Sequence, residues 1–266
     1  EWAVDVNLGA SVGIHTIVPF EGVIEDGTGD RLFAVTNEGI WDVSTFDTAP
    51  VIKATFLDQS SEAGYGVYTH YVDGSGADLL YYADSRNGLY KYDPVADTWA
   101  AETGIGGPVN SDINFIVSHK QRLWLCEEGS QTAWYLDVGS NSGNATEFVF
   151  GSKFKHGGAL AGLFNWSVDG GDGIDDYLVA VSRAGDVLPF QGEDPSSAST
   201  WGLVGTYYVG KIPRGPNFGT EHGGELYLLS SYGIVGRNDL LKGVNNVSAI
   251  IAPQAENLSS KIAGCR

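Results

Sequence analysis

The sequence predicts an all-β protein, a β-propeller of five to six four-stranded blades, and three observations carry that prediction. A strand–turn–strand unit recurs with matching points at Arg31, Leu79, Arg122, Tyr177 and Glu225, which lie 48, 43, 55 and 48 residues apart. Such a period marks a propeller, in which each repeat is one small sheet. Glycine is abundant (37 of 266 residues) and aromatics reach 12%, while charged residues make up only 18%, as many turns and aromatic strands require. Large and small apolar groups alternate within each unit, as in YLVAVS at 177–182. One small twisted sheet cannot bury both of its faces, and radial stacking of like sheets covers them while leaving short edges. A β-sandwich would show shorter and less regular spacing.

In chain order, residues 14–20 read as a strand after a weakly patterned start, and 21–30 as an acidic, Gly-rich loop. RLFAVTNEGIWDVS (31–44) is a hairpin whose Asn-Glu-Gly turn supplies residues tolerant of positive φ. Strands follow at 51–56 and 65–72. LLYYADSRNGLYKYDPVADTW (79–99) repeats the scheme, turning at Arg86, Asn87 and Gly88, with Asp93-Pro94 ending the second strand. RLWLCEEGSQTAWYLD (122–137) turns at Glu128, Gly129 and Ser130. Residues 177–182 and 187–191 form the next pair around a turn at 183–186, and 200–209 reads as one further β-branched, aromatic strand. Asp194-Pro195 and the serines after it form a surface loop between them. ELYLLSSYGIVGRNDL (225–240) is the fifth unit, turning at Tyr232-Gly233. The propeller thus occupies 1–243, and 244–266 reads as a C-terminal extension or linker.

The formal charge is −18, from 15 basic and 33 acidic residues. Residues 1–110 hold four cations (Arg31, Lys53, Arg86, Lys91) against 17 acids; 111–266 hold 11 against 16. A protein that grips DNA through phosphates needs Lys and Arg clusters, so a DNA-gripping role is not expected. No run of 18 apolar residues is present, so no membrane span is expected. Cys126 lies in an apolar strand and reads as a buried thiol; with only Cys265 besides, neither a disulfide framework nor a zinc site follows. The absence of Met predicts a processed chain or a fragment.

The search for chemistry returns little. GASVG (9–13) fits the nucleophile pattern G-x-S-x-G, but no helix is expected after it. Asp169, Asp172, Asp175 and Asp176 are dense enough to hold calcium, the one metal candidate, yet their spacing is not that of an EF-hand. A Gly-Asp hairpin turn at a blade edge fits them better. SVDGG (167–171) also matches the core of an Asp-box, without its downstream Trp. His15, His70, His119, His156 and His222 have no metal-ligand spacing. No carboxylate pair stands out for glycoside hydrolysis. N-x-S/T triplets at Asn144, Asn165, Asn246 and Asn257 matter only on a secreted eukaryotic chain. Most tryptophans fall within the strand repeats, where packing between sheets is their expected role. No cofactor and no enzymatic activity are expected.

Residues 114–237 carry a further pattern: Arg122 with Trp124; a stretch through Trp134 to Leu136; Gly157-Gly158; W-x-x-D-x-G-x-G-x-D-D from Trp166; and GEDPSSASTWGLVG, with Asp194, Pro195, Thr200 and Trp201. These blocks resemble a family of virion structural proteins of tailed phages and prophages. Where that family tends to carry Gly-Arg-Arg, this chain has Lys211-Ile-Pro-Arg214-Gly215. The resemblance implies a component of a short, podovirus-like phage tail, similar to β-propeller tail nozzle or head-completion proteins that stabilise packaged DNA. It further implies a homo-oligomeric ring, commonly hexameric, located in the virion tail beside adaptor or portal proteins. Double-stranded DNA would pass through that ring without tight binding. Two rivals stand beside it: a carbohydrate-binding propeller, either a receptor-binding protein or a secreted lectin, and a propeller hydrolase or lyase. The lectin reading calls for exposed tryptophans at blade edges.

Overall fold

The structure, a computed structural model, describes residues 13–22, 29–45, 49–169, 174–222 and 224–236. The fold is an all-β propeller built from successive antiparallel sheets. The first sheet takes β1 (Thr16–Phe20), β2 (Arg31–Val35), β3 (Gly39–Asp42) and β4 (Val51–Thr55) in order; the second takes β5 (Gly66–Val72), β6 (Asp78–Asp84), β7 (Gly88–Asp93) and β8 (Thr98–Ala101). After β9 (Ile105–Gly106), the third contains β10 (Ile113–His119), β11 (Arg122–Glu127), β12 (Thr132–Tyr135) and, beyond the short β13 (Gly143–Asn144), β14 (Thr146–Val149). β13 pairs in parallel with β9. The fourth sheet runs β15 (Leu160–Asp169), β16 (Ile174–Ser182), β17 (Asp186–Gly192) and β18 (Trp201–Leu203), with β19 (Tyr207–Tyr208) also on β17. β20 (Gly219–His222), β21 (Glu225–Ser230) and β22 (Gly233–Gly236) complete the described part of a fifth.

The sequence repeat locates the middle of each sheet. Its matching points open or lie within β2, β6, β11, β16 and β21, always the second strand. The middle strands β6 and β11 are covered on both faces, so they read as near-continuous apolar runs, and six of the seven residues of β6 are buried; β21 alternates buried and half-buried residues. Outer strands are short and half-solvated, as β4 and β8 show. The first strands β10, β15 and β20 fall outside the sequence expectation, which was anchored on hairpins with a strong turn signal.

Five residues beyond four of the five matching points stands a fully buried polar residue: Thr36, Asp84, Ser182 and Ser230. Each accepts a backbone N–H of the turn that follows. Thr36 Oγ1 takes Glu38 N at 3.1 Å, Ser182 Oγ takes Asp186 N at 3.1 Å and Ser230 Oγ takes Tyr232 N at 3.1 Å. Asp84 does most, receiving Arg86 N at 2.8 Å, Asn87 N at 3.0 Å and Gly64 N at 2.6 Å. Side-chain oxygens thus satisfy turn donors that the ladder cannot reach. Gly185 completes the β16–β17 turn at φ 103°, where a side chain would meet the Gly210 carbonyl.

One expectation needs correction. Residues 200–209 are not one strand; they pair with β17 twice, as β18 and β19, with a break at 204–206. Pro189 of β17 explains it. Its carbonyl accepts Val204 N at 2.9 Å, so the nitrogen that lacks a proton faces the same neighbour and interrupts the ladder.

The chain divides into two compact units, 1–125 with 136–145 and 126–135 with 146–266. In the first, the rings of Phe20, Phe33, Tyr92 and Trp99 meet at 4.9–5.4 Å between centroids. In the second, Phe148, Phe150, Phe190 and Trp201 form a comparable nest, with Trp201 stacked on Phe190 at 5.7 Å. Cys126 is fully buried, as expected, and desolvation pushes its thiol pKa well up. Among the described residues no helix is long and apolar enough to cross a membrane. The extension at 244–266 and GASV at 9–12 lie outside the described residues.

Candidate functional site

The residues of the pattern in 114–237 are spread over separate strands and a loop. Arg122 opens β11 and donates from Nη1 to the Leu136 carbonyl at 3.1 Å; Trp124, two residues on, is fully buried. Trp134 is half-buried in β12. Trp166 packs across the strand pair against Tyr177 at 5.7 Å. Asp194 builds the β17–β18 connection: its Oδ1 accepts Ser196 N at 3.0 Å and Ser196 Oγ at 2.7 Å. Thr200 N and Trp201 N then close onto the Ser197 carbonyl at 3.1 and 2.9 Å. Pro195 is buried, Thr200 is exposed, and the loop delivers Trp201 into the aromatic nest. The long sequence block is thus a turn-and-anchor device. Trp99, Trp124, Trp166 and Trp201 are buried and Trp41 and Trp134 half-buried, so among the described residues no tryptophan forms an exposed platform.

Of the four aspartates of the calcium candidate, Asp172 lies outside the described residues, Asp169 ends β15, and Asp175 and Asp176 lie in β16. Ser167 and Asp176 face each other across β15 and β16, and Ser167 Oγ donates to Asp176 at 2.6 Å. The two strands pair antiparallel, with Asp169 opposite Ile174 at the end of the ladder. Among the described residues no three His, Cys, Asp or Glu side chains gather as a metal site.

The cations of residues 1–110 are paired locally, and each of the four has an acidic partner. Lys53 Nζ lies 2.7 Å from Asp97 and 3.6 Å from Asp42, and Arg31 lies 3.6 Å from Asp97. Arg86 pairs with Glu62, and Lys91 reaches the buried Glu102 at 3.0 Å. Tyr92 donates to Asp97 at 2.8 Å. Burial alone would raise the Asp97 carboxyl; the Lys53 and Tyr92 hydrogen bonds and the two cations outweigh it and hold its pKa below the usual value. Glu21, Asp93 and Asp112 are exposed and form no ion pair among the described residues.

One constellation escaped the sequence. His156 donates its backbone N–H to Asp186 Oδ2 at 2.7 Å, and its Nδ1 lies 2.6 Å from Oδ1. Asp186 is fully buried, while the imidazole is half-exposed and lies on Tyr208 at 4.2 Å. The partners are 30 residues apart, one of them a turn residue, and no spacing rule connects them. Of the other histidines, His15 reaches the Ala63 carbonyl and stacks on Tyr65 at 4.2 Å, and His70 reaches the Pro19 carbonyl.

No protein-family model and no curated protein matches the chain. Solved structures do. BBS1N in a crystal structure with ARL6DN, soaked with lead, is similar over 86% of this chain, at 10% identity and a TM-score of 0.50. The extracellular domain of the hybrid two-component system BT4673 from B. thetaiotaomicron is similar over 84%, at 13% identity and a TM-score of 0.52. The matched parts amount to 66% and 26% of those chains, less than two thirds of each. Likeness at this identity bears on the fold alone.

Proposed function

We propose that this chain is a non-enzymatic structural component of a phage tail, a nozzle or head-completion protein. Copies assemble as a ring around the DNA exit channel and guide or retain packaged DNA without gripping it. The observation that carries this reading is the pairing of every cation in residues 1–110 with an acid, against 17 acids in that stretch. A wall with no free Lys or Arg offers phosphates nothing to hold, and each contact it withholds is a counterion-release gain forgone. A moving duplex is then repelled slightly and retarded little. The use of the phage-type residues as turn locks and buried anchors also supports a scaffold in place of a reaction centre.

Solution mass tests it. A ring gives a particle several times the 28.3 kDa chain, six times for a hexamer. A monomer at every concentration, or an assembled channel wall of neutral or positive potential, would overturn the reading. A monomer that binds on a glycan array would point instead to the carbohydrate-binding alternative, which the absence of exposed tryptophans among the described residues disfavours.

A further inference from the structure

The second unit is also net acidic, yet it leaves cations exposed. Lys155, Lys211 and Arg214 are exposed and form no ion pair among the described residues. All three lie on segments that flank the β16–β17 turn. Arg183 N donates to the Ala159 carbonyl at 2.8 Å, Ile212 N to the Arg183 carbonyl at 3.2 Å and Ser231 N to the Lys211 carbonyl at 2.8 Å. The Arg183 guanidinium fixes the outer segment, donating to the Pro213 and Gly215 carbonyls at 2.7 and 2.9 Å while lying 5.4 Å over Phe218. Beside the cations stand exposed rings. His156 lies on Tyr208, and Tyr208 meets Tyr232 edge-on at 6.2 Å; the two tyrosines are 38% and 50% exposed.

Exposed aromatics held on a rigid framework, together with unpaired cations, are the composition of an interface core. We propose that this patch is one half of a head-to-tail contact, docking on the acidic exterior of the 1–125 unit of a second copy of this chain. The inference rests on the ring reading above and deepens it by naming the contact. Complementary charge steers the encounter and sets its register, and the tyrosines supply the buried area. A contact between two different surfaces of one chain propagates into a closed ring when the rotation suits. Duplex DNA fits the patch less well. Three cations neutralise few phosphates where firm binding takes about 6–10, whereas every copy carries the acidic counterpart.

The test is sedimentation mass of the wild type and of a Lys155→Glu, Lys211→Glu, Arg214→Glu triple variant, at about 0.05 and 0.5 M salt. The wild type should assemble and lose mass at high salt; the variant should run at 28.3 kDa in both and still melt cooperatively, below the assembled wild type by the stabilisation that assembly supplies. If that variant does not fold, the corresponding Gln triple takes its place, with weakened assembly expected. A variant that assembles like an assembled wild type overturns the contact and leaves the ring standing. A wild type that never assembles overturns both. Wild type that retains a duplex oligonucleotide, lost in the variant with mass unchanged, makes the patch a phosphate site and overturns the inference.

Discussion

At the scale of single residues, the first unit sets two carboxylates in opposite states. Asp84 is fully buried, and desolvation raises its pKa against the lowering from its backbone hydrogen bonds with Arg86, Gly64 and Asn87. Asp97, more open, ends below its ordinary 3.8 because Lys53, Tyr92 and Arg31 outweigh its desolvation. The two therefore act on stability with opposite sign. A depressed carboxylate stabilises the fold above its unfolded pKa and loses that contribution as pH falls through the folded value. A raised one favours the fold at low pH and loses ground as pH climbs from the unfolded to the folded value. Comparing wild type with Asp97→Asn isolates the first effect. The stability gap between them, from urea unfolding, should be widest above pH 3.8 and close as the pH falls further. A gap that stays constant or widens toward acid would contradict the role given to Lys53 and Tyr92.

At the scale of the element, four of the five sheets share a second strand that ends on a buried oxygen lock. The locks differ in how many donors depend on them, which ranks their removal. Asp84→Ala leaves Gly64 N and Arg86 N without their partner and leaves Asn87 N only the Asp84 carbonyl at 3.3 Å, and should cost about 3 kcal/mol. Ser230→Ala strands only Tyr232 N and should cost about 1 kcal/mol. Denaturant midpoints at unchanged slope would measure both, and equal costs would mean the locks are interchangeable decoration. These hairpins were legible in sequence because period, apolar run and turn residue coincide at each one. The first strands β10 and β15 were less so, since no hairpin turn signal introduces them. The split of β18 from β19 depends on which way Pro189 faces, and facing is a property of register. The same limit hid the candidate surfaces. His156 and Asp186, or Lys155 and Lys211, are distant in sequence and become neighbours only when the β16–β17 turn is flanked from both sides.

At the scale of the whole molecule, what matters is how the charge of −18 is distributed and spent. Cations in residues 1–110 are consumed locally in ion pairs, so the acidic excess there faces solvent uncompensated. The exposed, unpaired cations among the described residues of the second unit are too few to hold a duplex, yet suited to a partner of opposite sign. A chain built this way should leave duplex DNA unretarded at about 0.1 M salt, where basic proteins of similar size bind. Glu21 and Asp112 are exposed and carry no ion pair among the described residues, so replacing both with Lys moves the net charge from −18 to −14 with little consequence for folding. If the missing affinity reflects nothing more than missing cations, the Glu21→Lys, Asp112→Lys variant should gain weak duplex binding. Its logarithmic salt dependence should steepen by at most about 0.9 per added phosphate contact. Tight duplex binding by the wild type, steep in salt, would instead mean that the acidic exterior does not govern how this protein meets DNA, and the conduit reading would fall with it.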